Sequence, residues 1–351
     1  MAKEFKDKTQ DDYLRRLENV MAELPSFCKT FFSGKRSLSK TTEALYAYDL
    51  RTFFIYLAEN NSYFKEKIKL VYEDGETRIL ENNLLLDDLK ELTSDDIDEF
   101  AHDLEKKKGN SKHTIEHYLS SISSLYKFFV KRRQLEVNPV DYVERQKVVQ
   151  KEVVRLSADE KHDFLSAIES GEGLTKKQLQ FHKRNKERDF CIYKMFLSTG
   201  MRVSELAGVD LDDIDLNEKS IKIIRKGGKT QRIFFSNSCY DALVEYLNVR
   251  NSVFKPLDSE KALFVGPSGA RLSVRAIQNL TKKYVETALP GKNENITTHK
   301  LRSTYASEVL QKTHDIKRVS KALGHANVTT TERYADYLDN ELEEIRNITD
   351  D

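Results

Sequence analysis

Four residues near the end of the sequence are of types that bind anions or move protons. His299 and Arg302 stand three positions apart, His325 follows a Leu-Gly pair, and Tyr334 comes nine residues after His325. With Thr298 as a helix N-cap, His299 and Arg302 would share one face of the first helical turn. Backbone N–H groups and the positive end of the helix dipole favour an anion there. The spacing therefore predicts an anion-binding face.

Each of these residues also has an ordinary structural explanation. A histidine near a helix start is commonly a cap or a surface group, and a tyrosine beside charged neighbours is commonly half buried. Gly324 is expected to end a helix over 315–323, which would leave His325 on the turn and Tyr334 on a separate element. The ordered combination favours a functional site more than any single residue does.

Two upstream stretches add further cations. In the string Gly-Met-Arg-Val-Ser-Glu-Leu at 200–206, Glu205 follows Arg202 by one helical turn. Strands over 220–224 and 232–235 are expected to flank the loop Arg-Lys-Gly-Gly-Lys-Thr at 225–230. Its Gly-Gly pair would supply the positive φ of a tight hairpin. Taken alone, these patterns indicate a helix boundary with a surface arginine and an ordinary turn.

Together the stretches resemble the sequence boxes of the tyrosine recombinases. Gly-x-Arg-x-Ser-Glu-Leu is similar to the first box, and His-x-x-Arg, Leu-Gly-His and Tyr are similar to the second, within a resemblance covering about residues 37–338. Glu205 would orient Arg202 from behind. The family carries a catalytic lysine on such a hairpin, which the resemblance assigns to Lys226, with Lys229 as the alternative. The basic run at 183–188 resembles the single-component, XerS-like Xer branch. The resemblance implies as catalytic residues Arg202, Lys226, His299, Arg302, His325 and Tyr334.

The same resemblance implies a site-specific DNA recombinase. Tyr334 would attack a DNA phosphate to give a 3′-phosphotyrosine, and strand exchange would pass through a Holliday junction in a homotetramer on two DNA sites. Fixed cations would stabilise the charge of the transition state, and the covalent intermediate would keep the bond energy, so no cofactor is expected. The site residues include no paired carboxylates with metal-ligand spacing, which predicts metal-independent chemistry.

Sequence alone leaves the biological role open. Xer-type chromosome dimer resolution is the first expectation, and integration or excision of a mobile element would use the same chemistry. An accessory division protein or an element-encoded protein is an expected partner in either case. A type IB topoisomerase-like enzyme would share the catalytic residues, and a DNA-binding module with spent catalytic residues would be a non-enzyme.

Composition narrows the class of protein. A chain of 351 residues suits two domains. Its three cysteines, Cys28, Cys191 and Cys239, are scattered and odd in number, which argues against a disulfide framework and a zinc site. No run approaches the roughly 18 apolar residues of a membrane span. These features predict a cytoplasmic protein with no membrane partner.

The distribution of charge bears on DNA binding. A net charge of only +1 argues against a simple DNA-binding protein. The charges are nevertheless arranged in blocks, because 73–99 is mainly acidic and 105–155 is mainly basic. Such blocks suggest one basic and one acidic face, although a charged run is commonly just a solvated surface. The residues expected to contact DNA are Lys112, Lys127, Lys131, Arg132, Arg133, Lys183, Arg184 and Lys186.

The predicted fold is mostly α with a small β-sheet. Residues 1–148 are expected to form a helical, SAM-like core-binding domain, with an inserted hairpin at about 61–86. Within this domain, Leu50, Phe53, Phe54 and Leu57 recur at helical spacing and predict an amphipathic helix. Residues 153–351 are expected to form a mixed α/β catalytic domain, with an extended basic segment over 171–187 and a short strand at 263–265. The tail, 337–351, would either dock on a neighbouring subunit or remain a solvated end.

Overall fold

Most of the structure is helical, and side chains cap many of the helices. It is a computed structural model that describes residues 17–35, 38–145, 154–225, 228–292 and 296–324. The described residues fall into two units, 17–145 and 154–324. None of the described helices is both long enough and apolar enough to cross a bilayer.

The first unit is helical apart from one hairpin. Residues 17–23 are helical. The other elements are α1 (Ser26–Gly34), α2 (Lys40–Asn60), α3 (Ser62–Lys65), β1 (Ile68–Glu73), β2 (Glu76–Asn82), a 3₁₀ helix (Leu86–Glu91), α4 (Ser94–Lys106), α5 (Lys112–Lys131) and a second 3₁₀ helix (Pro139–Tyr142).

Helix α2 confirms the amphipathic pattern seen in the sequence. Leu50, Phe53, Phe54 and Leu57 recur at helical spacing and are all buried. The side chain of Ser39 accepts a hydrogen bond from the backbone N–H of Thr42 and so caps the helix start. The core of this unit forms because such stripes from α1, α2, α4 and α5 face one another.

The hairpin predicted within 61–86 is present. Strands β1 and β2 pair antiparallel, with Tyr72 opposite Thr77. The turn places Asp74 and Gly75 at φ values of 50° and 79°, and such left-handed positions are typical of tight hairpins.

The second unit combines helices with a three-stranded sheet. Its elements are α6 (Ala158–Ser170), α7 (Lys176–Thr199), α8 (Val203–Ala207), a 3₁₀ helix (Leu211–Asp213), β3 (Ile214–Asp215), β4 (Ser220–Ile224), β5 (Thr230–Phe234), α9 (Asn237–Val249), a π-helix (Arg250–Phe254), α10 (Val274–Ala288), α11 (Thr298–Thr313) and α12 (Ile316–Leu323). The sheet order is β3-β4-β5, and both pairs of strands are antiparallel. The central hairpin confirms the two predicted strands, whereas β3 was not predicted.

Two predicted elements of this unit are wrong. The segment 171–187 is not extended, because α7 begins at Lys176 with a capping box between Thr175 and Gln178. Its basic residues therefore lie on a helix. The expected strand at 263–265 is replaced by two isolated bridges, which pair Ala262 with Asp210 and Val265 with Arg271.

Helices α11 and α12 pack together at the end of the described chain. A small cluster of buried residues, Ala306, Leu310, Val319 and Leu323, joins them. Asp315 caps α12 by accepting from the backbone N–H groups of Lys317 and Arg318. Gly324 ends the helix in the left-handed conformation, which confirms the helix predicted over 315–323. Helix α11 begins at Thr298, and its N-cap is Thr297 rather than the predicted Thr298.

Candidate active site

Glu205 holds Arg202 at the start of α8. The backbone N–H of Arg202 donates to Glu205 Oε2 over 2.7 Å, and its Nη1 donates to Oε1 over 3.0 Å. The Glu205 side chain is 5% exposed, whereas the Arg202 side chain is 36% exposed. The carboxylate therefore fixes the guanidinium from the interior while leaving part of it accessible to a ligand.

A second arginine, Arg225, shares the same carboxylate. Its Nη1 donates to Glu205 Oε2 over 3.0 Å, and its Nε donates to Gln231 Oε1 over 3.0 Å. Burial lowers the pKa of the Arg225 guanidinium, and Arg202 acts in the same direction, while Glu205 opposes the shift. Sequence reasoning missed Arg225, because one arginine at a strand end has no distinctive spacing.

Arg302, near the start of α11, is buried, which the sequence did not predict. It is 1% exposed, and it donates from Nη1 to the carbonyl oxygen of Gly200 over 2.5 Å. Its Nη2 donates to the carbonyl oxygen of Leu323 over 2.6 Å. His299, one turn earlier, is exposed. The two side chains differ in exposure because the Arg302 guanidinium reaches inward to the ends of α7 and α12.

Three side chains cap the C-terminus of α12. The last carbonyl groups of a helix have no intrahelical partner and carry the negative end of its dipole, so cationic donors are favourable there. The hydrogen bonds run from Gln231 to the carbonyl of Lys321 (3.2 Å), from Arg225 to that of Ala322 (3.0 Å) and from Arg302 to that of Leu323 (2.6 Å). The first box, the hairpin and the second box are thus joined in one network.

Two glycines permit this close packing. Gly200 has a φ of 61°, and a Cβ there would lie 2.2 Å from Cδ1 of Tyr305. Gly324 has a φ of 64°, and a Cβ there would lie 2.8 Å from Nε of Arg225. Burial raises the pKa of the Tyr305 phenol, although Arg225 and Arg302 oppose the shift. Tyr305 therefore packs beside the arginine network.

Three of the predicted catalytic residues lie outside the described residues: Lys226, His325 and Tyr334. The tail at 337–351 also lies outside them. The chain neighbours Arg225 and Gly324 are both part of the network. Lys229, the alternative to Lys226, is exposed, and its backbone carbonyl accepts from the Arg225 N–H over 2.8 Å.

The basic residues predicted to contact DNA are exposed in both units. In the first unit they lie on or just after α5. Lys112 is the first residue of the helix, and the others lie near or just past its end: Lys127, Lys131, Arg132 and Arg133. Lys127 pairs with Asp141 over 3.1 Å. These residues form two groups, because a helix rises about 1.5 Å per residue.

In the second unit, Lys183, Arg184 and Lys186 lie on α7. Arg184 donates to the carbonyl oxygen of Val253 over 3.0 Å, and Lys186 lies 3.8 Å from the carboxylate of Glu187. Across the residues that the structure describes, no group of three or more His, Cys, Asp or Glu side chains is arranged to hold a metal ion.

Comparison with known proteins gives consistent matches. Residues 154–341 match the family model described as the phage integrase family. The chain is similar to a tyrosine recombinase XerC from Caldanaerobacter subterraneus subsp. tengcongensis, with 29% identity over 320 residues that cover 90% of this chain and 84% of the relative. It is also similar to a tyrosine recombinase XerS from Lactococcus lactis subsp. cremoris, with 27% identity over 363 aligned positions that cover 95% and 97% of the two chains.

The fold has a similar solved structure, that of the Tn1549 transposon integrase in complex with transposon right end DNA. The TM-score is 0.63 at 19% identity, and the match covers 91% of this chain and 99% of the other. This likeness identifies the mostly helical architecture with its small sheets.

Proposed function

Because the chain belongs to the phage integrase family and is a site-specific tyrosine recombinase, we propose that it cleaves and rejoins double-stranded DNA through a 3′-phosphotyrosine at Tyr334. The observation that carries this proposal is the network around Glu205. Glu205 joins Arg202 to Arg225, and Arg225 and Arg302 donate to neighbouring carbonyls at the end of α12. A cluster of guanidinium groups suits a phosphodiester, whose negative charge grows towards the transition state.

Arg202 and Arg302 bind the nonbridging oxygens of the scissile phosphate in this proposal. Each guanidinium can donate to two oxygens at once. Arg202 is accessible in the structure, whereas Arg302 is 1% exposed. Contact between Arg302 and the phosphate therefore requires the segments of this polypeptide that cover Arg302 to move when DNA binds.

The covalent step transfers the phosphoryl group from DNA to the enzyme. The phenol oxygen of Tyr334 forms a bond to phosphorus, and the bond from phosphorus to the 5′ oxygen breaks. A phenol with a pKa of about 10 needs a proton acceptor at neutral pH, and we assign that role to His299. Lys226 protonates the departing 5′ oxygen, with Lys229 as the alternative donor, and His325 donates a hydrogen bond to a nonbridging oxygen.

Strand exchange follows when a different 5′-hydroxyl attacks the phosphotyrosine. Two such exchanges, through a Holliday junction, recombine two DNA sites held by a homotetramer. Residues 1–148 serve as the core-binding domain and 153–351 as the catalytic domain. The exposed basic residues of α5 and α7 contact phosphates, so DNA affinity falls as the salt concentration rises.

The biological role that we propose is Xer-type chromosome dimer resolution in the cytoplasm, with an accessory division protein as partner. Similarity to XerC and XerS recombinases over most of the chain supports this role. Integration or excision of a mobile element is the second candidate, and the likeness of fold to the Tn1549 transposon integrase favours it.

Mapping of covalent cleavage sites separates these functions. The protein is incubated with DNA from the replication terminus region and with DNA flanking its own gene, and covalent complexes are isolated on a denaturing gel. Cleavage at a terminus site supports dimer resolution, and cleavage only at the flanks supports a mobile element. Supercoil relaxation by a monomer without joining of two sites indicates a topoisomerase. Binding without any covalent complex contradicts the enzymatic proposal.

A further inference from the structure

Arg225 contacts three parts of the candidate site at once. It donates to Glu205 in the first box, to Gln231 in its own hairpin and to the carbonyl of Ala322 near the end of α12, and each donor–acceptor distance is 3.0 Å. We propose that Arg225 is a positioning residue that holds the Lys226 hairpin against the turn leading to His325. This inference rests on the proposed function, because it takes Lys226 as the acid for the leaving group.

Backbone hydrogen bonds tie Arg225 directly to the hairpin loop. Its N–H donates to the carbonyl of Lys229 over 2.8 Å, and its carbonyl accepts from the N–H of Gly228 over 3.1 Å. Lys226 is the next residue in the chain. Because the Arg225 side chain is anchored at its far end and its backbone closes the loop, a shift of this guanidinium moves the backbone that carries Lys226.

The link to α12 is made by two hairpin residues together. Gln231 accepts from Arg225 and donates from Nε2 to the carbonyl of Lys321 over 3.2 Å. Arg225 donates to the neighbouring carbonyl, that of Ala322. A helix end resists fraying when side chains donate hydrogen bonds to its last carbonyls. The hairpin and the turn at Gly324 are therefore held in one register.

The buried ion pair explains why arginine is needed at this position. The side chains of Arg225 and Glu205 are 6% and 5% exposed. A planar guanidinium can donate in three directions in one plane, whereas an ammonium on a flexible stem is a single point charge. Lysine at 225 would keep the charge beside Glu205 and lose the bonds to Gln231 and Ala322.

The test is single-turnover cleavage of nicked DNA carrying either oxygen or sulfur at the 5′ leaving position. Arg225→Lys is expected to slow cleavage of the oxygen substrate about 100-fold, with DNA affinity within about threefold of wild type because no proposed phosphate contact is removed. Sulfur leaves without a proton. The rate loss caused by Arg225→Lys is therefore expected to be at least about tenfold smaller on the sulfur substrate than on the oxygen substrate. A purely structural defect would slow both substrates equally.

Three further variants complete the experiment. Lys226→Ala must show the sulfur rescue, and its failure to do so would overturn the proposed acid rather than the contacts of Arg225. Arg318→Gln removes one exposed charge from α12 and is expected to cleave within about twofold of wild type. If Arg225→Lys does not fold, Gln231→Ala keeps the buried ion pair and is expected to slow the oxygen substrate about tenfold, with the same rescue.

Two results would overturn the inference. One is wild-type cleavage of the oxygen substrate by Arg225→Lys. The other is an equal loss on both substrates for Arg225→Lys while Lys226→Ala is rescued, because Arg225 would then not act through Lys226.

Discussion

Arg225 Nη1 lies 3.0 Å from Oε2 of Glu205, and both side chains are buried. The second oxygen of the same carboxylate lies 3.0 Å from Nη1 of Arg202. Two guanidinium groups brought this close repel each other, and the carboxylate between them offsets that repulsion. Glu205 therefore connects the accessible arginine of the first box to the hairpin, and does more than orient Arg202.

We expect Glu205→Gln to destabilise the second unit by about 3 kcal/mol, because it leaves a buried guanidinium without its counter-charge. Cleavage of DNA is expected to fall about 10- to 100-fold as Arg202 loses its orientation. Urea denaturation and single-turnover cleavage measure the two effects. Glu286→Gln, which removes an exposed partner of Lys282, serves as the control and is expected to stay within about 0.5 kcal/mol of wild type. Equal losses in the two variants would contradict the bridging role.

Gly200→Ala is expected to lower the free energy of unfolding by about 3 kcal/mol, because strain at a φ of 61° adds to a clash with the Tyr305 ring. Gly291 has a φ of 88°, and a Cβ added there would meet no heavy atom within 4 Å. Gly291→Ala should therefore cost only the backbone strain, about 1 kcal/mol. Urea denaturation of both variants measures the difference. Similar values would show that contact with Tyr305 does not matter.

The leaving-group acid can be identified by sulfur substitution. Lys226→Ala is expected to slow cleavage much more than DNA binding, and a 5′ sulfur leaving group should restore the rate because sulfur needs no proton. Lys229→Ala provides the comparison, since its side chain is exposed and belongs to the same loop. If Lys229→Ala shows the rescue and Lys226→Ala does not, the acid is Lys229.

Acid is expected to weaken the first unit through Asp88. Burial raises the pKa of this carboxyl, but hydrogen bonds from Lys67 and Tyr63 outweigh it and leave the pKa below its ordinary value. The resulting stability is present above the pKa of the unfolded chain, about 3.9, and is lost as the pH falls through the lower folded value. Asp88→Asn should be less stable than wild type at neutral pH, with a gap that narrows below about pH 4.

Denaturation of Asp88→Asn across pH values from about 2 to about 7 measures this effect, and Asp87→Asn is its matched control. Asp87 is the preceding residue, and its side chain is 79% exposed. A gap between wild type and Asp88→Asn that stays constant with pH would show that the carboxylate does not stabilise the fold.

Local patterns predicted the elements better than the connections between them. The apolar spacing of Leu50 to Leu57 indicated α2, and Gly324 indicated the end of α12, because periodicity and caps are short-range signals. The contacts of Arg225 join residues separated by 20 and 97 positions, and no local spacing encodes them. The burial of Arg302 was missed for the same reason, since its partners are Gly200 and Leu323.

The start of α7 was missed because its basic residues hid the helical signal. The run from Lys176 to Lys186 has few apolar residues, so its pattern favoured a solvated segment. The capping box at Thr175 was the available short-range signal.

Covalent capture on a nicked suicide substrate tests the central claim most directly. The wild-type protein is expected to give a DNA adduct that survives denaturing electrophoresis, and Tyr334→Phe is expected to bind the same DNA with no adduct. The chain has 16 tyrosines, so the wild-type adduct is also mapped by proteolysis, which should locate the phosphotyrosine at Tyr334. An adduct that persists in Tyr334→Phe, mapped to another tyrosine, would contradict the account.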